Sequence, residues 1–277
     1  SAAWRIEVRH IFTGTLCGVQ SFAPPPGTGY LHLLRRGTLT VTHPPRQCVP
    51  LRLYIHEPSL LFYPRAITHH FHNPPVEGSD FTCAQLHFDG GQEHPLVRTL
   101  PGVLVLPLSQ VEGLGAALDL LFAETDRVRC GHRLLADRLF EVVLIQTLRW
   151  LLDHPHEAGV PPGLVTGLSD PQLARAIVAL HEAPGQPWSV AELAAVAGLS
   201  RTGFSQRFRD LVGQTPADYL ADWRIGLAQA GLLQGASIKR LASELGYANP
   251  SALSRAFAAK SGRSPRDWLK ASAPPPD

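Results

Sequence analysis

The final hundred residues repeat themselves with a period of about 48, and this internal repeat constrains the fold more than any other feature of the chain. Ser189-Val190-x-x-Leu193-Ala194 matches Ser237-Ile238-x-x-Leu241-Ala242, and Gly198 matches Gly246. After one inserted residue, Phe204 and Phe208 match Leu253 and Phe257, and Gly213, Pro216, Tyr219 and Leu220 match Gly262, Pro265, Trp268 and Leu269. Each copy spells a serine-capped short helix, a glycine at a tight turn, a second polar-capped helix with two anchors four residues apart, and a Gly-x-x-Pro stop. The small Ala194 and Ala242 let the second helix of each copy cross the first closely, at roughly a right angle. A long apolar helix over about 216–234 joins the copies. Another helix is expected to start at Ser169-Asp170-Pro171, an N-cap followed by proline, with Leu173, Ile177 and Leu180 facing inward.

This is the grammar of two helix-turn-helix motifs. If Phe204 and Phe208 face the core, helical geometry turns Arg201, Thr202, Ser205, Gln206 and Arg209 outward. In the second copy Leu253 and Phe257 are the anchors, Asn249 is the cap, and Pro250, Ser251, Ser254 and Arg255 face away. Arginine pairs bidentately with guanine and glutamine with adenine, while serine and threonine serve bases or phosphates. Charge agrees with a polyanionic partner. Residues 171–270 hold 12 Lys and Arg against 7 Asp and Glu, whereas residues 1–170 hold 13 against 15, within a chain of net charge +2.

The stretch 171–270, above all 246–257 and Gly-Arg-Ser-Pro-Arg-Asp-Trp-Leu at 262–269, resembles the AraC family of bacterial transcription regulators. The resemblance implies a seven-helix domain whose recognition helices enter successive major grooves of double-stranded DNA, about 34 Å apart. It also implies base-reading roles for Thr202, Ser205, Gln206, Ser251, Ser254 and Arg255. Gly203 departs from the pattern, since a glycine inside a recognition helix costs roughly 1 kcal/mol relative to alanine.

The first half reads differently: it holds twelve of the thirteen histidines and all four cysteines. Short β-like runs at 30–34, 38–41, 51–55 and 81–88, punctuated by Pro24-Pro25-Pro26-Gly27, Gly37, Pro44-Pro45 and Pro74-Pro75, predict a small barrel over 1–108. From 109 to 155 the period changes to three and four, predicting an antiparallel helical hairpin that closes the barrel or joins two copies of the chain. Pro155, Gly159, Pro161, Pro162 and Gly163 mark 156–168 as a linker, leaving 169–272 as the DNA-binding domain. The expected fold class is therefore multidomain β + α, with an N-terminal cupin-like β-barrel plus helical hairpin and a C-terminal all-α double helix-turn-helix domain.

The first half looks like the cupin-type sensor barrel of many such regulators. It is similar to a subgroup implicated in sensing reactive chlorine or other oxidants, which carries paired cysteines and histidines at corresponding places. That resemblance, with the donor chemistry of Cys17, His32, His69 and Cys83, makes these four a candidate His2Cys2 or His2Cys1 zinc set. Three other readings stay open. The histidines are satisfied polar residues and the cysteines small core residues; the barrel binds a sugar or aromatic effector without metal; or His70-x-His72-x4-Glu77 imitates a cupin metal motif and the barrel is an enzyme. The enzyme reading lacks the glycines expected around that motif, and Pro74-Pro75 breaks the strand between ligands.

No Ser-His-Asp arrangement or phosphate-cradling loop is present, and no apolar run reaches the roughly 18 residues that span a bilayer. With no leader-like start, a Ser1 that reads as a trimmed end, and four widely spaced cysteines, the expectation is a cytoplasmic, non-enzymatic regulator with reduced thiols. Its expected partners are double-stranded DNA, a small-molecule or oxidant effector, RNA polymerase if it activates, and a second copy of itself if it dimerises.

Overall fold

A computed structural model describes residues 6–89, 91, 94–127 and 129–272. It divides into a first unit of residues 6–92 and 96–161 and a second made mainly of residues from 162 onward.

The first unit is built from strands β1 (Ile6–Leu16), β2 (Gly18–Phe22), β3 (Thr28–Arg36), β4 (Leu39–Thr42), β5 (Arg52–Ile55), β6 (Ser59–Tyr63), β7 (His69–Asn73), β8 (Ser79–Phe88) and β9 (Leu104–Pro107). All pair antiparallel in two sheets, ordered β1-β8-β3-β6-β9 and β2-β7-β4-β5. Between them lie Leu34, Val41, Leu61, Tyr63, Phe71, Phe81 and Cys83, contributed by alternate residues of their strands. The runs at 30–34, 38–41, 51–55 and 81–88 all fall on strands, because each alternates or is apolar throughout and ends in proline or glycine. A short helix α1 (Pro95–Thr99) precedes β9.

The hairpin is α2 (Leu114–Thr125) and α3 (His132–Asp153). It covers the first sheet: Asp137 Oδ1 accepts from the His10 backbone N–H at 2.6 Å, and Arg35 both pairs with Asp126 and lies 4.3 Å above the Phe122 ring. Phe140, Val143 and Leu151 of α3 are buried, whereas Leu134, Leu135, Val142 and Ile145 remain exposed.

The second unit comprises α4 (Leu164–Ser169), α5 (Pro171–Glu182), α6 (Val190–Ala197), α7 (Arg201–Val212), α8 (Pro216–Leu233), α9 (Ile238–Glu244), α10 (Pro250–Ser261) and α11 (Pro265–Ser272). Within the stretch marked as a linker, turn hydrogen bonds order 154–160, Val160 is buried, and α4 follows. The Thr166 hydroxyl donates to the Leu211 carbonyl, docking α4 on α7. The prolines and glycine stop at 163, and the apolar Leu164, Val165 and Leu168 behind them supply the buried side of this turn-and-a-half. Among the described residues no helix is long and apolar enough to cross a membrane.

Two cores sit on one strut. Tyr219 and Leu220, at the start of α8, close a core with Leu173, Ile177, Leu193, Phe204 and Phe208. Ile225, Ala228 and Leu232, farther along α8, close a second with Leu241, Leu253 and Phe257. The repeat is reproduced in detail, because Thr215 and Ser264 cap α8 and α11 by the same bonds to Asp218 and Asp267.

The hinge glycines have φ 69° at Gly198 and 75° at Gly246, where side chains are strained. A Cβ on Gly198 would meet open space, but one on Gly246 would collide with the Gly185 carbonyl. Gly198→Ala should therefore lose about 1–2 kcal/mol of stability from backbone conformation alone, and Gly246→Ala should lose distinctly more. Urea unfolding of the two variants ranks them, and equal losses would contradict the clasp at Gly185.

Candidate nucleic-acid interface and the buried barrel cluster

The Ser200 hydroxyl caps α7 by accepting from the Gly203 N–H at 3.2 Å, and Phe204, Phe208 and Val212 are buried. Arg201, Thr202, Gln206 and Arg209 are exposed and Ser205 is half-buried. Ser205 donates to the Arg201 carbonyl and Gln206 to Asp210, both exchangeable surface bonds. Arg207, on the same helix, is tied up: it pairs with Asp170 at 2.5 Å, and Asp170 caps α5. In α10, capped by Asn249 through the Ala252 N–H, Leu253 and Phe257 are fully buried, Ser251 and Arg255 are exposed and Ser254 is half-buried.

Among the described residues, ion pairs engage Arg207 with Asp170, Arg240 with Glu244 and Lys260 with Asp222, and none engages Arg201, Arg209 or Arg255. The outward faces of α7 and α10 thus carry cations whose charge the protein does not neutralise. Both lie at helix positions fixed by fully buried anchors, which is the chemistry that phosphates and base edges require.

In the first unit the structure brings three of the four proposed zinc donors together. His32 Nδ1 lies 3.1 Å from Cys83 Sγ, and His32 Nε2 lies 3.0 Å from His69 Nε2. His69 Nδ1 lies 2.8 Å from the Ile67 carbonyl, which only accepts. Proton positions follow from that end: His69 carries its proton on Nδ1, its Nε2 accepts from His32 Nε2–H, and His32 Nδ1 accepts from the Cys83 thiol. Burial holds both imidazoles neutral, with His32 well below the ordinary 6.5 and His69 at about 4, and pushes the Cys83 thiol up. Rings enclose the pair: Tyr63 stacks on His69 at 4.1 Å between centroids, and Phe22 and Phe71 each lie 4.9 Å or less from His32.

This arrangement does not fit zinc. The two nitrogens of His32 point in divergent directions, one at His69 and one at Cys83, so an ion between the histidines would leave Cys83 behind the ring. Cys17 lies elsewhere, exposed, with its Sγ 3.9 Å from the Val76 carbonyl. Sheet register explains the separation. Leu16 pairs with Ser79 while Phe12 pairs with Cys83, placing Cys17 five residues, roughly 16 Å, along the sheet. Among the described residues no group of three or more His, Cys, Asp and Glu is placed to hold a metal ion. The alternative motif fares no better: His69 and Phe71 point inward, whereas His70 and His72 point outward to the hydroxyls of Ser21 and Thr42.

A cupin family model matches residues 2–153, more than half of the chain, and a helix-turn-helix domain model matches residues 193–271. The chain belongs to the cupin family over its first half and carries a helix-turn-helix domain in its second, and relatives named AraC-like transcription regulators match it. An AraC-like transcription regulator of Streptomyces antibioticus is 37% identical over 178 residues, 63% of this chain and 58% of that protein, so the chain spans under two thirds of that relative's length. The RCS-specific transcriptional activator RclR of Escherichia coli K12 is 25% identical over 255 residues, 88% of this chain and 87% of that one. The DNA-binding domain of AdpA, solved with a target DNA, shares 33% identity over 37% of this chain and 92% of its own, with a TM-score of 0.33.

For this AraC-like protein, sequence reasoning did not single out the aromatic box around His32 and His69. The signal was there in period two: Tyr30 precedes His32, and Phe71 follows His69, at spacing two on single strands. The neutral pair has a measurable consequence. Because folding lowers the histidine pKa below 6.5, its contribution is fully present above pH 6.5 and is lost as pH falls towards 4. Melting temperature should drop across that window, and His69→Phe, which keeps a ring on Tyr63 but cannot titrate, should flatten the slope. Calorimetry at stepped pH checks this, and an unchanged slope would count against a neutral His69.

Proposed function

We propose that this protein is a cytoplasmic, sequence-specific DNA-binding regulator whose barrel binds a metal-free effector that alters its DNA affinity. The observation carrying the DNA reading is the pair of exposed polar faces on α7 and α10, with Arg201, Arg209 and Arg255 outside every ion pair among the described residues. Thr202, Ser205, Gln206, Ser251, Ser254 and Arg255 are the proposed base readers, and Arg209 the phosphate contact. The helix-turn-helix domain model that matches residues 193–271 supports the same partner. A metal-free effector is favoured because the barrel histidines are spent on one another rather than directed at a common point.

Footprinting on the DNA upstream of its own gene tests the reading. Arg255→Ala should cost about 1–3 kcal/mol on the preferred site and relax choice at one base position, whereas Arg209→Ala should weaken all sequences alike and reduce the salt slope by about one. Identical losses on every sequence for both variants would refute the division of roles.

A second copy would pair through α3, whose Leu135, Val142 and Ile145 are exposed at spacings of seven and three. Sedimentation should show a dimer that Val142→Glu with Ile145→Glu converts to monomer without loss of fold; a wild-type monomer at all concentrations would overturn this.

A further inference from the structure

In the second unit the first recognition helix is held from outside its own motif. Asp170 divides its two oxygens: Oδ1 accepts from the Gln172 and Leu173 N–H groups and caps α5, while Oδ2 pairs with Arg207 Nη2 at 2.5 Å. Arg207 Nη1 donates in turn to Gln172 Oε1 at 3.0 Å, so the planar guanidinium straddles the first turn of α5. A second tether sits four residues on, near the end of α7. The last four carbonyls of a helix have no partner inside it, and the Leu211 carbonyl accepts from the Gly163 N–H at 3.0 Å and from the Thr166 hydroxyl at 2.6 Å. Thr166 and Asp170 are both buried. α4 packs so closely here that a Cβ on Gly167 would meet Val212 at 2.8 Å and Ile177 at 2.7 Å.

The second recognition helix is tethered differently. In the repeat the residue of α10 that corresponds to Arg207 is Ala256, and the one that corresponds to Leu211 is Lys260, which pairs with Asp222 of α8 at 2.7 Å. That tether runs to the helix both motifs share. Both tethers of α7 run to residues 163–172, which precede the repeat.

Phe204 and Phe208, about 6 Å apart along the helix axis, set the rotation of α7 but do not by themselves stop it rocking about the line that joins them. Arg207 and Arg209 leave the helix about 100° to either side of Phe208, so a tilt that lets Arg207 drift carries Arg209 and its neighbour Gln206 with it. Contacts to base edges tolerate little such drift, since a site works only when its groups are held within about 0.5 Å of their productive places.

We infer that Thr166 and Asp170 are positioning residues for DNA reading, which fix the tilt of α7 through Leu211 and Arg207. Base choice in the part of the operator read by α7 then depends on two buried side chains that cannot themselves reach a base, whereas base choice by α10 does not. The inference rests on the DNA-binding function proposed above.

Selecting preferred duplexes from a random library with the full chain gives a two-part site, and Gln206→Ala and Arg255→Ala mark the part that each helix reads. Asp170→Asn keeps a good N-cap on α5 but removes the charge that holds Arg207; Thr166→Val keeps the side-chain shape without the hydroxyl. Each should lower discrimination between right and wrong bases in the α7 part about tenfold and leave the α10 part unchanged. Arg207→Gln should reproduce Asp170→Asn, and the double variant should be no worse than either alone. A merely structural role would lower the melting temperature and weaken every sequence alike. Equal loss in both parts, or full discrimination in all three folded variants, therefore overturns the inference. So does a salt slope reduced by about one in Arg207→Gln, because Arg207 would then be a phosphate contact. Hydrogen exchange tests the tethers without DNA: amides of α7 should exchange about tenfold faster in Asp170→Asn and Thr166→Val while those of α10 keep their rates, and unchanged α7 rates overturn the tethers. If the wild type binds no duplex, the regulator reading fails and the DNA role with it, while exchange still decides whether residues 163–172 hold α7.

Discussion

The helical half depends on α8 being buried at both ends in two different cores. Tyr219 and Leu220 belong to the first motif and Ile225, Ala228 and Leu232 to the second, so one continuous helix sets the spacing of both. Arg224, midway, donates to the carbonyls of Pro184 at 2.6 Å and Gln186 at 2.9 Å. That pins the loop before α6 to the strut, and in the same loop Gly185 touches the hinge at Gly246 backbone to backbone. Fully burying each of Phe204, Phe208, Leu253 and Phe257 contributes roughly 1.5–3 kcal/mol. Those anchors fix the rotation of α7 and α10, and therefore which residues face outward.

The barrel half follows another logic. Its centre is polar, and it tolerates Cys83, His32 and His69 because every donor in the chain finds an acceptor down to the Ile67 carbonyl. Nearby, His43 repeats the device: its Nδ1 faces the Pro50 carbonyl and its Nε2 the Tyr63 hydroxyl at 2.9 Å. These polar groups at the centre of the core are thus paired, whereas Gln47 Oε1, Arg65 Nε and Asn73 Oδ1 elsewhere in the unit are buried without a hydrogen-bond partner.

How much of this was legible depends on range. The helix-turn-helix repeat could be read because its determinants are local: caps at Ser200 and Asn249, glycines at positive φ, and anchors four apart. The strands could be read from alternation, and His32, His69 and Cys83, within a set that also held Cys17, from the cupin resemblance together with their donor chemistry. Cys17 could not be excluded, since only the register between β1 and β8 shows that it stands beyond the end of the cluster. Nor does sequence reveal that Arg207 is withdrawn to Asp170, 37 positions earlier, while Arg201 and Arg209 are not. The helix Leu164–Ser169 was hidden by the prolines before it.

Sharing one helix between two hydrophobic centres means that the helical half is not a pair of interchangeable modules. A cut anywhere along α8 leaves apolar side chains of one motif facing water, so a fragment containing a single reader would be adhesive rather than autonomous. On the proposed function, retargeting the protein to a new operator is therefore a matter of rewriting outward positions on an intact frame. The same indivisibility would let natural variants drift in recognition while their architecture stays fixed.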